Sequence, residues 1–259
     1  MRTTFLPLAL GLVIVLTGCA LTSETARPHF DLVDDDSARR IGEKIYRAEL
    51  AAHRLSADSR LTATVNTIGR RLAAVATRPD YEWEFSLIEN DAVDAFCLPG
   101  GKVGVYTGLL PVAVNETGLA TAIAHEIGHA VAAHGTERFS QKLLAGAAEK
   151  LLSLGISRND ALQALFRQSF GMERGDPYRL FQEKEADYLG LIYMARAGYD
   201  PREAIGFWKR LDTNGRGDRF ESTHPPTAER LEALKKRLPK ALLEYAAAPR
   251  RHGKGNDLF

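Results

Sequence analysis

Two histidines and a glutamate stand in the order H-E-x-x-H, at His125, Glu126 and His129. Residues four apart on a helix share a face, so both imidazoles can reach one zinc ion at roughly 2.0–2.1 Å. Glu126 is rotated away from that pair and can take a proton from a metal-activated water without binding the metal. The pattern predicts a catalytic zinc site with two histidine ligands and Glu126 as the general base.

A catalytic zinc site needs a third protein ligand and an open fourth position. His134 is the nearest candidate, but five residues after His129 it falls on another face of the same helix and is more simply a polar helix end. Glu149 has no aspartate one turn after it, whereas Glu183 has Asp187. The hypothesis is that Glu183 binds the metal and Asp187 accepts a ligand-histidine N–H; the alternative is a pair of solvated carboxylates.

The stretch that carries the motif has the composition of a buried helix. Residues 118–133 contain no proline, are rich in alanine, and space their apolar side chains along one side of a helix. Asn115 or Thr117 can cap its start, and Gly135 can cap its end. A chance match to a short pattern is the alternative, and this flanking context argues against it.

Apolar periodicity predicts further helices around the motif and little sheet. The helices are predicted at 34–54, 61–76, 139–154, 159–170, 201–211 and 227–238. Strands are predicted at 83–88 and, after a Pro-Gly-Gly turn, at 102–106. The predicted fold is therefore mainly α with a small β-sheet (α+β). The insertion between His129 and Glu183, which includes a mobile connection at 172–177, is either a lid over the cleft or packing.

The N-terminal residues are typical of a secretion signal, predicted at 1–18. Leu16-Thr17-Gly18-Cys19 resembles the lipobox of bacterial lipoprotein signal peptides, which implies cleavage before Cys19 and lipid attachment to it. The alternative is an uncleaved membrane helix, but the apolar run is shorter than the roughly 20 residues that span a bilayer. Ala20, by resemblance to bacterial sorting rules, points to the periplasmic side of the outer membrane.

Composition and charge limit the remaining possibilities. The 259 residues carry a net charge of +1 and are 45% hydrophobic, which is typical of one or two globular domains and argues against a nucleic-acid partner. With Cys19 lipidated, Cys97 has no disulfide partner and is predicted to be a small buried residue. Residues 246–259 have the composition of a disordered tail.

Several motifs in one order resemble a known family. They are H-E-x-x-H, Glu183 with Asp187, the runs 94–102 and 107–110, and Ser222-Thr-His-Pro225 followed by Arg230. They are similar to the zinc endopeptidases that include the CAAX prenyl proteases and HtpX, in the periplasmic branch typified by the beta-barrel assembly-enhancing protease. The resemblance covers about residues 90–230. The chain leaves no room for tetratricopeptide repeats, so no docking role on the assembly machinery is carried over.

The resemblance implies a gluzincin-type metallopeptidase domain at 31–245, after a lipidated linker at 19–30. It implies that one zinc per chain is bound by His125, His129 and Glu183. It adds His224 and Arg230 as catalytic residues that contact the substrate or the transition state. Asp94 departs from the asparagine usual in the family.

The resemblance also implies that the strand after the Pro-Gly-Gly turn forms the sheet edge beside the cleft. There an extended peptide can add as a further strand, held by main-chain hydrogen bonds. The predicted substrate-binding residues are Gly101, Lys102, Val103, Gly104 and Val105. The alternative is that this strand is the second arm of a structural hairpin.

These observations together predict a zinc metalloendopeptidase that acts on unfolded or misassembled cell-envelope proteins in protein quality control. His224 lies in a loop rich in glycine and proline, so it can also occupy the fourth zinc position and leave the resting enzyme self-inhibited. The alternatives are a chaperone-like periplasmic binding protein with a mainly structural zinc and a lipid-anchored scaffold with a vestigial site. The intact base favours the enzyme, and the sequence does not indicate an oligomeric state.

Overall fold

The computed structural model describes residues 19–21, 25, 27–153, 155–172, 179–213, 223–225 and 227–259. The predicted signal segment, most of the predicted mobile connection and most of the loop before His224 lie outside the described residues. Within them, no helix has both the length and the apolar composition needed to cross a membrane.

Helices make up most of the described chain, as predicted. The strands are β1 (Cys19–Leu21), β2 (Pro28–Phe30), β3 (Glu84–Ile88), β4 (Ala95–Leu98) and β5 (Lys102–Tyr106). The helices are α1 (Asp35–Ala52), α2 (Ser59–Ala73), α3 (Leu110–Ala113), α4 (Glu116–Val131), α5 (His134–Leu144), α6 (Ala147–Ser153), α7 (Arg158–Ser169), α8 (Leu180–Arg196), α9 (Glu203–Thr213) and α10 (Ala228–Ala247). A short 3₁₀ turn, Thr107–Leu109, joins β5 to α3.

The three-stranded sheet has the order β3-β5-β4, with β3 parallel and β4 antiparallel to β5. The β4–β5 hairpin turns through Gly100 and Gly101, whose φ angles of 88° and 81° are favourable only for glycine. The prediction that Lys102–Tyr106 forms the sheet edge is therefore wrong. Sheet order depends on a long-range pairing with β3, which the local turn pattern does not determine.

Helix α4 runs through the centre of the molecule and is buried from Thr117 to Val131. It packs against α2, β4 and α8. Glycines permit the α4–α8 contact: a Cβ on Gly128 would lie 2.7 Å from the Ala186 carbonyl oxygen, and one on Gly190 would lie 2.9 Å from the His125 backbone nitrogen. The backbones of α4 and α8 therefore approach closely enough for side chains of the two helices to contact each other.

Several helix boundaries differ from the predictions, and α10 runs to Ala247 instead of ending at 238. The helix predicted at 139–154 is two helices, α5 and α6, separated at Gly146, which has a φ of 71°. Gly135 does not cap α4, because the chain turns earlier, at Ala133, with a left-handed φ of 57°. The next residue, His134, starts α5 and is thereby turned back towards α4. Asn115 is the cap at the other end, where its side chain accepts a hydrogen bond from Gly118 N–H.

The predicted disordered tail instead packs on the start of α4. The backbone N–H groups of Glu116 and Thr117 donate to the carbonyls of Asn256 and Lys254, at 3.0 and 3.1 Å. The first N–H groups of a helix have no partner within the helix, so the tail supplies the missing acceptors. Leu258 is only 1% exposed and belongs to the main hydrophobic core. Composition alone misses these long-range contacts.

Candidate active site and metal centre

The two histidines of the motif meet on one face of α4. Their Nε2 atoms are 3.1 Å apart, and both side chains are almost completely buried. Glu183 enters from α8, with Oε1 3.3 Å from His129 Nε2 and Oε2 3.5 Å from His125 Nε2. The structure therefore brings together the three predicted metal ligands, His125, His129 and Glu183.

His224 completes this cluster. Its Nδ1 is 3.0 Å from Glu183 Oε1 and 3.3 Å from His125 Nε2. The four side chains can each offer one ligand atom, all within 4.8 Å of one another. A tetrahedron with zinc–ligand bonds of about 2.0–2.1 Å has edges of about 3.3–3.4 Å. Four separations among His125 Nε2, His129 Nε2, His224 Nδ1 and Glu183 Oε1 are 3.0–3.3 Å, close to that edge length.

Asp187 contacts His125 on the ring nitrogen that faces away from the cluster. Its Oδ1 lies 3.0 Å from His125 Nδ1, as the one-turn spacing after Glu183 predicts. Burial alone would lower the pKa of His125, but hydrogen bonds to Asp187 and Glu183 raise it to about 9. The pKa of Glu183 lies well below its usual value, because Arg230 and the histidines outweigh the effect of burial. The cluster thus has an ionised carboxylate and a proton on His125 that a metal must displace.

Arg230 supports this carboxylate pair. Its Nε and Nη2 donate to the two oxygens of Asp187, both at 2.8 Å, and its Nη1 is 2.7 Å from Glu183 Oε2. Nη1 also donates to the backbone carbonyls of His224 and Pro225. This geometry makes Arg230 a positioning residue. Its predicted contact with the substrate or the transition state stays a prediction.

Trp208 of α9 is a site residue that the sequence interpretation missed. The Arg230 guanidinium lies 4.0 Å from its ring centroid, and the His125 ring packs edge-on against it at 4.9 Å. No local pattern marks a tryptophan 79 residues after His129 as a neighbour of the motif. The ring covers one side of the cluster and stabilises the buried cation through its π-face.

Glu126 adjoins the cluster without belonging to the group of four possible ligands. It is 2% exposed, and its Oε1 lies 3.5 Å from His224 Nε2. Burial raises the pKa of Glu126 to about 8, with the charges of Asp94 and Glu183 adding to the rise and His125 opposing it. Asp94 itself is fully buried, and its Oδ1 accepts a hydrogen bond from Ala95 N–H. Asp94 therefore adds a carboxylate near the predicted base, where the resemblance implies an asparagine.

His134 and Glu185 extend the site in a direction that the sequence interpretation missed. His134 is fully buried, with Nδ1 2.9 Å from His129 Nδ1 and Nε2 3.1 Å from Glu185 Oε2. A single continuous helix would have pointed His134 away from His129, but the left-handed residue Ala133 reverses that direction. Burial would raise the pKa of Glu185, yet hydrogen bonds from His134 and Thr25 lower it to about 2.

The residues predicted to bind substrate do not form a free edge. Lys102–Tyr106 is flanked on both sides by strands, and the Lys102 ammonium is tied to the Glu82 carbonyl and the Glu43 carboxylate, at 3.0 and 3.1 Å. Among the described strands, β4 is the edge strand that packs on α4. The predicted strand addition at Gly101–Val105 is therefore wrong, because both sides of β5 are occupied. Cys97 of β4 is buried, as predicted.

Comparison with known proteins identifies relatives across most of the chain. Residues 59–238 match Peptidase family M48. Mitochondrial metalloendopeptidase OMA1 of Schizosaccharomyces pombe is 32% identical over 222 residues, which cover 83% of this chain and 65% of that protein. The beta-barrel assembly-enhancing protease of Yersinia pestis is 28% identical over 213 residues, covering 78% and 44%, and that of Escherichia coli K12 is 29% identical over 191 residues, covering 70% and 39%. The chain thus spans less than two thirds of each of these relatives.

The matched region includes both α4 and α8, which carry the three predicted metal ligands, and the loop that carries His224. It confirms the resemblance that the motifs carry. The chain belongs to Peptidase family M48.

Proposed function

We propose that this protein is a zinc-dependent endopeptidase that hydrolyses peptide bonds of unfolded or misassembled cell-envelope proteins. The observation that carries the proposal is the position of Glu126. It is a buried carboxylate with a pKa of about 8, directly beside a cluster of ligand atoms spaced for zinc. A purely structural zinc site does not need such a group.

Zinc bound by these side chains would supply a Lewis acid that polarises the scissile carbonyl and acidifies water. Glu126 accepts the proton of the attacking water and then delivers it to the leaving amine. The same carboxyl serves both steps, because it first takes up a proton and then releases it. Asp187 keeps the proton of His125 on Nδ1, so that Nε2 remains available as a ligand.

The cellular setting is part of the proposal. The lipobox-like sequence at Cys19 supports a lipid anchor, with the enzyme in the periplasm on the outer membrane. Two relatives are named for enhancing the assembly of β-barrel proteins, which agrees with unfolded envelope proteins as the substrate class.

His224 gives this enzyme a means of self-inhibition. Its Nδ1 occupies the place of a fourth ligand, 3.0 Å from Glu183 Oε1 and 3.3 Å from His125 Nε2. Four protein ligands are typical of closed zinc sites, whereas catalytic sites keep one position open. Activity then requires His224 to leave the cluster. The same closed geometry supports the second candidate, a chaperone-like binding protein with a mainly structural zinc.

The test is cleavage of casein by the zinc-loaded full chain, beside Glu126→Gln at equal zinc occupancy. Loss of the base should lower the rate by about 10²–10⁴-fold. Equal cleavage by the parent and Glu126→Gln would contradict the proposed mechanism. If neither protein cleaves casein, His224→Ala decides: cleavage supports a self-inhibited peptidase, and no cleavage favours the binding protein. If His224→Ala and an active parent cleave at the same rate, self-inhibition is wrong.

A further inference from the structure

The proposed mechanism does not use His134, which is buried in contact with the metal cluster, or Glu185, which is partly buried behind it. His134 begins α5, just after the left-handed turn at Ala133, and its ring packs against that of His129 with centroids 4.9 Å apart. Its two ring nitrogens face different partners, His129 on one side and Glu185 on the other. A histidine that only filled space would not need two aligned polar partners in the core.

The proton positions along this chain of contacts follow from metal binding. His129 Nε2 faces the other ligands, and a nitrogen that binds metal carries no proton, so the neutral ring keeps its proton on Nδ1. That N–H donates to His134 Nδ1, 2.9 Å away. His134 must then carry its own proton on Nε2, which donates to Glu185 Oε2 at 3.1 Å. One assignment of protons satisfies both contacts.

The two ligand histidines are thus oriented by carboxylates from the same helix, α8, in different ways. Asp187 contacts His125 Nδ1 directly, at 3.0 Å. Glu185 lies two residues earlier, on another side of the helix, and reaches His129 only through the intervening imidazole of His134. A ligand histidine binds metal more strongly when its second nitrogen donates to such a group, because the tautomer and the ring orientation are fixed in advance.

Glu185 is itself held by the segment that precedes β2. Arg27 Nε is 2.5 Å from Glu185 Oε2, and Thr25 Oγ1 also donates to this carboxylate. Arg27 reaches further, to the Glu137 carboxylate at 3.1 Å and the Ala132 carbonyl at 3.1 Å. It therefore ties α8 to both sides of the turn that places His134, and it does so only eight residues after the predicted lipidation site.

We propose that His134 and Glu185 form a positioning relay that fixes the tautomer and orientation of His129, and that Arg27 holds the outer end of this relay. The proposal rests on the proposed zinc site. In this proposal the N-terminal segment supports the metal centre through Arg27, although it supplies no ligand. Loss of the relay leaves all ligands in place but frees the His129 ring, so zinc binds more weakly.

The test is the zinc dissociation constant of the full chain, measured by competition with a chelator. His134→Ala should weaken zinc binding by about 10–100-fold, as loss of groups that orient ligands does elsewhere. His134→Gln should recover part of this loss, because its amide offers an acceptor and a donor in one group. Lys184→Ala is the matched control: Lys184 neighbours Glu183 on α8, but its ion pair with Glu229 does not touch the cluster.

The outcomes separate the relay from a purely structural role. The thermal midpoint of each zinc-free protein is measured in parallel to show that it folds. If His134→Ala does not fold, Arg27→Ala replaces it in the test, because Arg27 is partly exposed. Arg27→Ala should weaken zinc binding less than His134→Ala. Unchanged zinc affinity in the folded variants, or an equal loss in Lys184→Ala, would overturn the proposal. So would a loss that His134→Gln does not reduce at all. If the parent itself fails to bind zinc, the proposed function fails instead.

Discussion

Arg230 is the buried cation that two carboxylates of the site share, and its removal has a calculable cost. Its side chain and that of Asp187 are each 2% exposed, and that of Glu183 is 1% exposed. Arg230→Ala leaves both buried carboxylates without their common partner. It also removes the donor to the carbonyls of His224 and Pro225. The substitution should therefore destabilise the fold as well as the site.

The magnitude follows from the burial of the pair. Removing one partner of a buried ion pair costs about 3–5 kcal/mol, because the charge that remains is buried without that partner. In a protein of this size each kcal/mol lowers the thermal midpoint by about 2–4 °C, so the zinc-free variant should melt about 6–20 °C lower. With zinc bound the loss should be smaller, because the metal then compensates Glu183.

The assay is chemical unfolding of the zinc-free parent, Arg230→Ala and a surface control. Arg196→Ala serves as the control, because the Arg196–Glu244 pair is 35% and 28% exposed and should contribute at most about 1 kcal/mol. If Arg230→Ala unfolds with the same free energy as the parent but no longer cleaves peptide bonds, the reasoning is refuted. The guanidinium would then act on the substrate, as the family resemblance implies.

Three further predictions concern the metal, the tail and the packing of the central helices. Because the pKa of His125 is about 9 in the metal-free site, zinc must displace its proton, so zinc affinity should rise at least about tenfold per pH unit between pH 6 and 7.5; chelator competition at several pH values checks this, and a flat profile contradicts it. Leu258→Ala should lower the free energy of unfolding by about 2–5 kcal/mol, because the residue is 1% exposed; a disordered tail would give no change. Gly190→Val places side-chain atoms against the His125 backbone and should cost at least about 1–3 kcal/mol in chemical unfolding; unchanged stability would mean that α4 and α8 are not closely packed.

The chemistry of the site could be predicted from the sequence because it obeys local rules. Residues four apart on a helix share a face, so the spacing of His125 with His129, and of Glu183 with Asp187, places each pair before any tertiary contact is known. His134 escaped the same rule because one residue, Ala133, takes a left-handed conformation that its type does not announce. A residue-by-residue pattern assumes that the helix continues.

The predictions of a sheet edge at Lys102–Tyr106 and of a disordered tail were wrong for a different reason. The position of Lys102–Tyr106 in the middle of the sheet depends on its pairing with Glu84–Ile88, which lies on the other side of β4 in the chain. The order of the tail depends on N–H groups of α4 that lie about 140 residues earlier. Both are long-range pairings, and neither leaves a signal in the composition or periodicity of the segment concerned.

Helix α8 couples metal binding to the packing of the core. It carries Glu183, a proposed ligand, it places Asp187 and Glu185 behind the two proposed ligand histidines, and it packs on α4 through Gly190. A ligand that binds only the packed arrangement stabilises that arrangement by the free energy of binding. Zinc should therefore protect the α4–α8 contact against unfolding. Conversely, any substitution that separates the two helices must weaken zinc binding, even when every ligand and the general base are left unchanged.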